Sequence, residues 1–148
     1  MGLFDAIDAA GSGLSAERLR MDVTSENLAN AQTTRGADGQ PYRRKEVVLQ
    51  EAAGESGFGA TLKVAMGNAA RPAHGVQVAA IVEDDSDLKR IYDPGHPDAD
   101  KDGYVTMPNV NTVTEMTDLI SASRAYEANV TAMQAAKQMF TKTLDLLR

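Results

Sequence analysis

The sequence predicts an α+β chain in which long N- and C-terminal helices form a coiled-coil-like helical domain around a small β-rich insert. Three observations predict it. Apolar residues recur at alternating steps of three and four near each end of the 148 residues, and Gly and Pro gather between those stretches. The central stretch also carries short β-branched runs bounded by turn residues. Residues 1–30 and 112–148 are therefore read as one helical domain, and residues 31–111 as the insert.

The first helix is predicted over residues 3–30. Phe4, Ile7, Gly11, Leu14, Arg18, Met21, Ser25 and Leu28 fall on one heptad line, and five of these eight are apolar. Gly11 and Gly13 each cost roughly 1 kcal/mol of helix propensity relative to Ala. Close approach of a second helix offsets that cost, so this helix is not expected to be stable alone.

Between the helices, residues 42–50 read as a strand after the turn Gly36-Ala37-Asp38-Gly39-Gln40-Pro41. Residues 60–66 and 75–82 have partial alternation with β-branched residues. Residues 89–92 and 103–107 form a candidate hairpin around Asp93-Pro94-Gly95-His96-Pro97, and residues 51–59 read as a loop. A β element this small buries little apolar area and must lean on the helices or on other subunits.

The C-terminal line is stronger. Met116, Leu119, Ser123, Tyr126, Val130, Met133, Lys137, Phe140, Leu144 and Leu147 keep the alternation, and only Ser123 and Lys137 are not apolar. Thr112-Val113-Thr114-Glu115 reads as a capping box, with Thr112 capping and Glu115 reaching back. Pro108 lies upstream, where it cannot interrupt the helix. At 1.5 Å per residue the helix spans about 54 Å. Two such lines fit an antiparallel intrachain coiled coil, or an ordinary helical core.

Composition narrows the function. The net charge of −6 disfavours a chain-wide electrostatic grip on nucleic acid. Arg43-Arg44-Lys45 is the one basic cluster, and Glu83, Asp84, Asp85 and Asp87 answer it. Both runs read as solvated faces, or as partners within or between subunits. No Cys is present, which excludes disulfides and thiolate metal sites. No run of about 20 apolar residues exists to span a bilayer. Met1-Gly2-Leu3-Phe4-Asp5 lacks the basic and apolar regions of a secretory signal.

Catalytic motifs are weak. His74 and His96 lie in Pro/Gly-containing loops, Ser56 is not in a nucleophile elbow, and Leu62 stands where a dinucleotide fingerprint after Gly57-Phe58-Gly59 has Gly. The expectation is no enzyme, no cofactor and no metal. The strongest competing motif is Asp98-Ala99-Asp100-Lys101-Asp102-Gly103, which fits the first six positions of a calcium loop. Its twelfth position is Asn109 rather than Glu, and the upstream flank cannot be helical. An Asp/Gly-rich turn that bonds its own backbone is the simpler reading.

Two further segments are more specific. Residues 12–18 lead into Met21-Asp22-Val23-Thr24-Ser25-Glu26-Asn27-Leu28-Ala29-Asn30-Ala31. Near the other end stand Pro108-Asn109-Val110-Asn111, Glu115-Met116, and Ser121-Ala122-Ser123-Arg124-Ala125-Tyr126-Glu127-Ala128-Asn129. Together they resemble the paired terminal signatures of flagellar rod and hook proteins. The central segments 33–45, 93–100 and 103–105 are similar to the proximal-rod type; residues 51–70 match no known motif.

This resemblance implies a rod subunit that polymerises through its terminal helices and helps transmit torque across the periplasm. It implies export through the flagellar type III apparatus without a cleaved signal peptide. The implied partners are further copies of the chain, the rod proteins FlgB, FlgF, FlgG and FliE, and the export apparatus. Phe4, Ile7, Leu14, Met21, Leu28, Met116, Leu119, Tyr126, Val130, Met133, Phe140, Leu144 and Leu147 are the expected subunit-interface seam. Asn27, Asn30, Asn109, Asn111, Arg124, Tyr126 and Asn129 carry the family motif. Asn27 and Asn30 either tolerate left-handed backbone at the helix end or recognise a partner. A calcium-responsive module and a coiled-coil export adaptor are the alternative functions.

Overall fold

The computed structural model describes residues 3–36, 38–52 and 75–146, excepting the side chains of Leu3, Phe4 and Leu146. The candidate strand at 60–66, most of the loop at 51–59, Ser56, His74 and the seam positions Phe4 and Leu147 lie outside what is described. Helix α1 spans Leu3–Ala29, and strands β1 (Lys45–Glu51), β2 (Val76–Glu83), β3 (Lys89–Tyr92) and β4 (Tyr104–Met107) follow. Helix α2 spans Thr112–Leu146 and closes the order. The α+β class, both helices and the hairpin agree with the sequence reading.

The strands form two separate two-stranded sheets, β1 with β2 and β3 with β4. Asp84 donates its amide to the Arg44 carbonyl (2.7 Å) and Ala52 donates to the Gly75 carbonyl (2.7 Å), so β1 and β2 run antiparallel. Residues on both sides of these strands are largely exposed. In the hairpin, Lys89 pairs with Met107 and Tyr92 with Tyr104. The Tyr92 and Tyr104 rings meet edge to face at 5.3 Å, and the Arg90 guanidinium lies 5.0 Å from the Tyr104 ring.

The chain divides into two compact units. The first comprises residues 1–18, 49–79 and 124–148; the second comprises residues 19–48 and 80–123. In the first unit, Gly11 faces Met133 and Gly13 faces Asn129, while Ala16 and Ala136 are buried. A Cβ on Gly13 would stand 2.9 Å from the Asn129 amide nitrogen. The two glycines thus permit the close approach that offsets their helix cost. Ser12 donates its hydroxyl to the Ala9 carbonyl (2.8 Å) and accepts the Val76 amide (3.0 Å), which holds the start of β2 against α1.

In the second unit, Val23, Val105, Pro108, Val110 and Ala122 are buried together with the polar residues Thr24, Asn27 and Glu115. Arg20 lies 4.0 Å from Asp118, and Asn27 bonds Glu115. Within each unit the paired positions rise along α1 as they fall along α2, Gly11 to Gly13 against Met133 to Asn129 and Arg20 to Asn27 against Asp118 to Glu115, the antiparallel sense expected from the sequence. The inward positions differ from the apolar heptad lines. On α2 they are Glu115, Ala122, Asn129 and Ala136, each seven residues after the last and each one residue before Met116, Ser123, Val130 and Lys137. The small side chains on this line, Ala122 and Ala136, let the helix backbones approach closely.

The helix ends also differ from expectation. Asn111, not Thr112, caps α2: its side-chain oxygen accepts the Val113 amide at 3.1 Å. Glu115 donates its amide to the Asn111 carbonyl (2.9 Å), but its carboxylate turns inward instead of completing a capping box. At the end of α1, Asn30 donates its side-chain amide to the Glu26 carbonyl (2.9 Å) and accepts the Thr33 hydroxyl (3.1 Å). No described residue other than Gly39 and Gly103 has positive φ, so neither Asn27 nor Asn30 supplies left-handed backbone.

Gly103 is where such backbone is needed. Its φ is +79°, and an added Cβ would lie 2.9 Å from the Tyr92 ring. Gly103→Ala is expected to destabilise the chain by roughly 1–2 kcal/mol through the strained φ and the displaced ring. Urea denaturation of the two proteins checks this, and equal midpoints refute it.

Candidate functional site

Polar side chains from four segments converge in the second unit. Asn27 comes from the last turns of α1, Tyr42 and Arg44 from the approach to β1, Asn109 from the stretch before α2, and Glu115 from the first turn of α2. Asn27 is 1% exposed and makes every hydrogen bond its amide allows. Its nitrogen donates to the Lys45 carbonyl (2.8 Å) and to Glu115 Oε2 (3.0 Å). Its oxygen accepts the Tyr42 hydroxyl (2.9 Å) and the Lys45 amide (2.9 Å). The Asn27 amide therefore occupies a ladder position beside the chain entering β1.

Glu115 is also 1% exposed, and Arg44 Nε donates to its other oxygen at 2.6 Å. Burying a carboxylate costs several kcal/mol unless a charge and hydrogen bonds meet it. Here a charge-assisted bond meets one oxygen and an amide donor meets the other. The partial positive charge at the start of α2 adds roughly 0.3–1 kcal/mol. The bond to Glu115 in turn raises the Arg44 pKa above its ordinary value, against the smaller opposing effect of burial. Arg44 also approaches Asp118 (3.6 Å) and Glu46 (3.5 Å).

Asn109 extends the cluster. Its oxygen accepts the Arg44 amide at 2.8 Å; its nitrogen donates to the Asp84 carbonyl (3.0 Å) and the Ser86 hydroxyl (2.9 Å). The Asp84 carboxylate accepts the Ser86 amide at 2.8 Å. That bond, the Ser86 hydroxyl and more weakly Arg44 and Arg43 lower its pKa from the usual value.

The basic cluster is thus paired within the chain, but not with the carboxylates of the 83–87 run. Arg43 donates to the Asp84 backbone carbonyl (3.3 Å), Arg44 reaches Glu115, and Lys45 reaches Glu26 at 2.7 Å. Sequence spacing gave no signal for this, because 71 residues separate Arg44 from Glu115 and 88 separate Asn27 from Glu115. The roles of Tyr42, Arg44 and Glu115 were missed for that reason, although all three stand inside the motif segments.

The remaining motif residues are scattered. Asn111 caps α2, Asn129 packs against Gly13, Tyr126 is half-buried and Arg124 is exposed. Of the expected seam, Ile7, Leu14, Met21, Leu28, Leu119, Tyr126, Val130 and Met133 are half-buried. Met116 (53%), Phe140 (39%) and Leu144 (51%) are exposed. Val113 and Ile120, which lie off the predicted line, are exposed with Met116 along one side of the first turns of α2.

The acidic turn is engaged by its own neighbours. Asp98 accepts the Thr34 hydroxyl (2.8 Å) and lies 3.8 Å from Arg35; Asp100 accepts the Lys101 amide (2.8 Å). Asp100 and Gly103 also bond across the turn, Gly103 donating to the Asp100 carbonyl at 2.8 Å. Among the described residues no three His, Cys, Asp or Glu side chains are grouped to hold a metal ion.

Two family models match the chain. One, described as flagella basal body rod protein, covers residues 7–37; the other, described as flagellar basal body rod FlgEFG protein C-terminal, covers residues 101–146. The chain is 49% identical to the flagellar basal-body rod protein FlgC of Bacillus subtilis, over 99% of both chains. It is 47% identical to FlgC of Borreliella burgdorferi, over 100% of this chain and 99% of the relative. To FlgC of Salmonella typhimurium it is 44% identical, over 99% and 98%. Nothing in these relatives supports the calcium-responsive or export-adaptor alternatives.

Tyr42 reports on the cluster in solution. Burial first, then the negative charges of Glu26, Glu115 and Glu83, push its pKa up to about 12 from 10.0. A phenol whose folded pKa is raised contributes stability that is complete below its unfolded pKa and is lost as pH rises through the folded value. Stability is therefore expected to fall from about pH 10 to about pH 12. Tyr42→Phe is expected to flatten that fall while costing about 1 kcal/mol at neutral pH through the lost bond to Asn27. Ultraviolet phenol titration alongside urea denaturation at each pH measures both.

Proposed function

The chain belongs to the FlgC family of flagellar basal-body rod proteins, and from that premise we propose that it polymerises by packing the exposed apolar side of its terminal helices against neighbouring subunits. It is a structural subunit of the basal-body rod, and its place is in the flagellar basal body with other components of that assembly. Further copies and the rod proteins FlgB, FlgF, FlgG and FliE are the neighbours we propose. Torque transmission across the periplasm, and export without a cleaved signal, belong to the same reading. No described helix is long and apolar enough to cross a membrane.

One observation carries the packing proposal. Val113 (71%), Met116 (53%) and Ile120 (53%) stand in solvent at spacings of three and four on α2, beside a unit whose buried helix positions include Glu115 and Asn27. A helix that keeps polar groups inside and leaves Val, Met and Ile outside has its apolar burial still to come. Covering such a side chain contributes roughly 1.5–3 kcal/mol. Repetition of one such contact between identical copies generates an open helical array when the rotation does not close. We infer no catalytic role: the charged groups of the described cluster are occupied by one another.

Met116→Asp combined with Ile120→Asp is expected to leave the lone subunit within about 0.5 kcal/mol of wild type, because both sites are exposed. The same pair is expected to abolish rod assembly, scored by swimming and by the variant's absence from purified basal bodies. Normal swimming with the variant incorporated would refute the packing surface.

A further inference from the structure

We propose that in the assembled rod the first turns of α2 of one copy pack on the β1–β2 sheet of the next, so that Val113, Met116 and Ile120 are covered by Val48, Ile81 and Val82 of a second copy of this chain. This rests on the packing proposed above and names the surface that covers it. Three observations carry it. The first is that the sheet has no cover of its own. Adjacent residues of a strand point to opposite faces, and Ile81 and Val82 are both exposed, as is Val48 on β1. Val78 is the one residue of β2 that is even half-buried. A two-stranded sheet is marginal in water unless further strands or a helix pack on it.

The second observation is that both surfaces lack charge. The exposed residues of α2 from Thr112 to Ser121 are all Thr, Val, Met, Ile or Ser. The two carboxylates in that stretch, Glu115 and Asp118, are turned to Arg44 of the same chain. On β2 no charged residue occurs from Val76 to Val82, and on β1 none from Val47 to Gln50. Charge stands only at the strand ends, in Lys45, Glu46, Glu51 and Glu83. An apolar centre depleted of charge inside a charged rim is the composition of a protein–protein interface. The charged strand ends also oppose edge-to-edge joining of two such sheets, which leaves the faces for a helix.

The third observation is that the two surfaces differ from each other. Helix against the same helix, or sheet against the same sheet, is a like-to-like contact with two-fold symmetry, and it closes at two copies. Helix on sheet is a head-to-tail contact. Each added copy then presents one unused surface of either kind, which is what continued growth of an array requires.

The chain contains no Cys, so introduced thiols report the contact directly in purified basal bodies. Met116→Cys combined with Ile81→Cys, or with Val82→Cys, is expected to give cross-linked dimers of the chain with a short bismaleimide. The yield is expected to exceed that of any single variant at least about tenfold, because thiols held in contact react at a raised effective concentration. A dimer from Met116→Cys alone at the same yield means that α2 meets α2, and overturns the proposal. Incorporation of both double variants without a dimer means that another protein covers α2, and overturns it equally.

Ile81→Asp with Val82→Asp sets a charge on each face of the sheet. This pair is expected to abolish swimming as Met116→Asp with Ile120→Asp does, while the Asp84 and Ala52 amides, which join β1 to β2, exchange as in the wild-type subunit. The cross-link is read in chains whose sheet carries no added charge, so it decides even where the Asp pair loosens the strands. The two proposals fail separately. Normal swimming of the Ile81 and Val82 pair, with assembly lost in the Met116 and Ile120 pair, overturns the sheet as partner and keeps the packing surface; normal swimming of the Met116 and Ile120 pair removes both.

Discussion

Glu115 is a carboxylate in the first turn of a helix, at a position where it could stay in water, and it is nonetheless buried. That placement constrains everything around it. One oxygen requires a cation, and Arg44 supplies it from 71 residues away. The other requires a neutral donor, and Asn27 supplies it from 88 residues away. Neither alone suffices, since truncating one partner of a buried pair leaves a charge whose desolvation is no longer offset, at a cost of about 3–5 kcal/mol. The cluster is therefore cooperative: α1, the segment entering β1 and α2 arrive together or the carboxylate stays in solvent.

The rest of the architecture follows from where apolar area is not. Aromatic residues are 5% of the chain and Trp is absent, so no large central core can form. The described core is built of Ala, Val and Pro. Small inward residues bring the helices close and give little burial per residue, and the polar cluster beside them is satisfied from within the chain. Larger apolar residues are exposed on the outside of α2 and on the β1–β2 sheet, whose strands are largely exposed. For a lone globular protein this arrangement is unfavourable. Under the packing proposed above, a subunit of the rod gains its remaining burial from its neighbours, and the exposed apolar side belongs to the assembly.

Much of the fold was legible from the residues. Both helices were located to within a few residues, because long stretches without Gly or Pro and a 3–4 alternation leave few alternatives. The hairpin was legible from Asp93-Pro94-Gly95 and the flanking β-branched residues. The inward line of α2 was not, because periodicity was scored on apolar residues. Met116 and Val130 drew the line one position away from Glu115 and Asn129. Ser123 and Lys137, which break the apolar line, directly follow the buried Ala122 and Ala136. The cap was misplaced for a related reason. Thr112 and Glu115 have capping-box spacing, but Arg44 and Asn27 offer the Glu115 carboxylate stronger partners than a single backbone amide. Pairings between distant segments leave no trace in local spacing, so the cluster was visible only as motif residues without a role.

The chemistry of Asn27 explains why that position is an amide. The site presents two acceptors, the Lys45 carbonyl and Glu115, and two donors, the Lys45 amide and the Tyr42 hydroxyl. Asp would set a second negative charge against Glu115 and lose both donated bonds. Leu has similar volume but would leave the Lys45 amide and carbonyl without their partners in a buried place, at about 1–3 kcal/mol for each unsatisfied group. Gln has the right groups on a stem one methylene longer, which the fixed spacing between α1 and β1 does not accommodate. A side chain with two donors, two acceptors and a short stem is required, and Asn alone provides it. Asn109 makes the equivalent bridge between Arg44 and Asp84. The two asparagines, one from each terminal motif, thus act on consecutive residues, Arg44 and Lys45, from opposite ends of the chain.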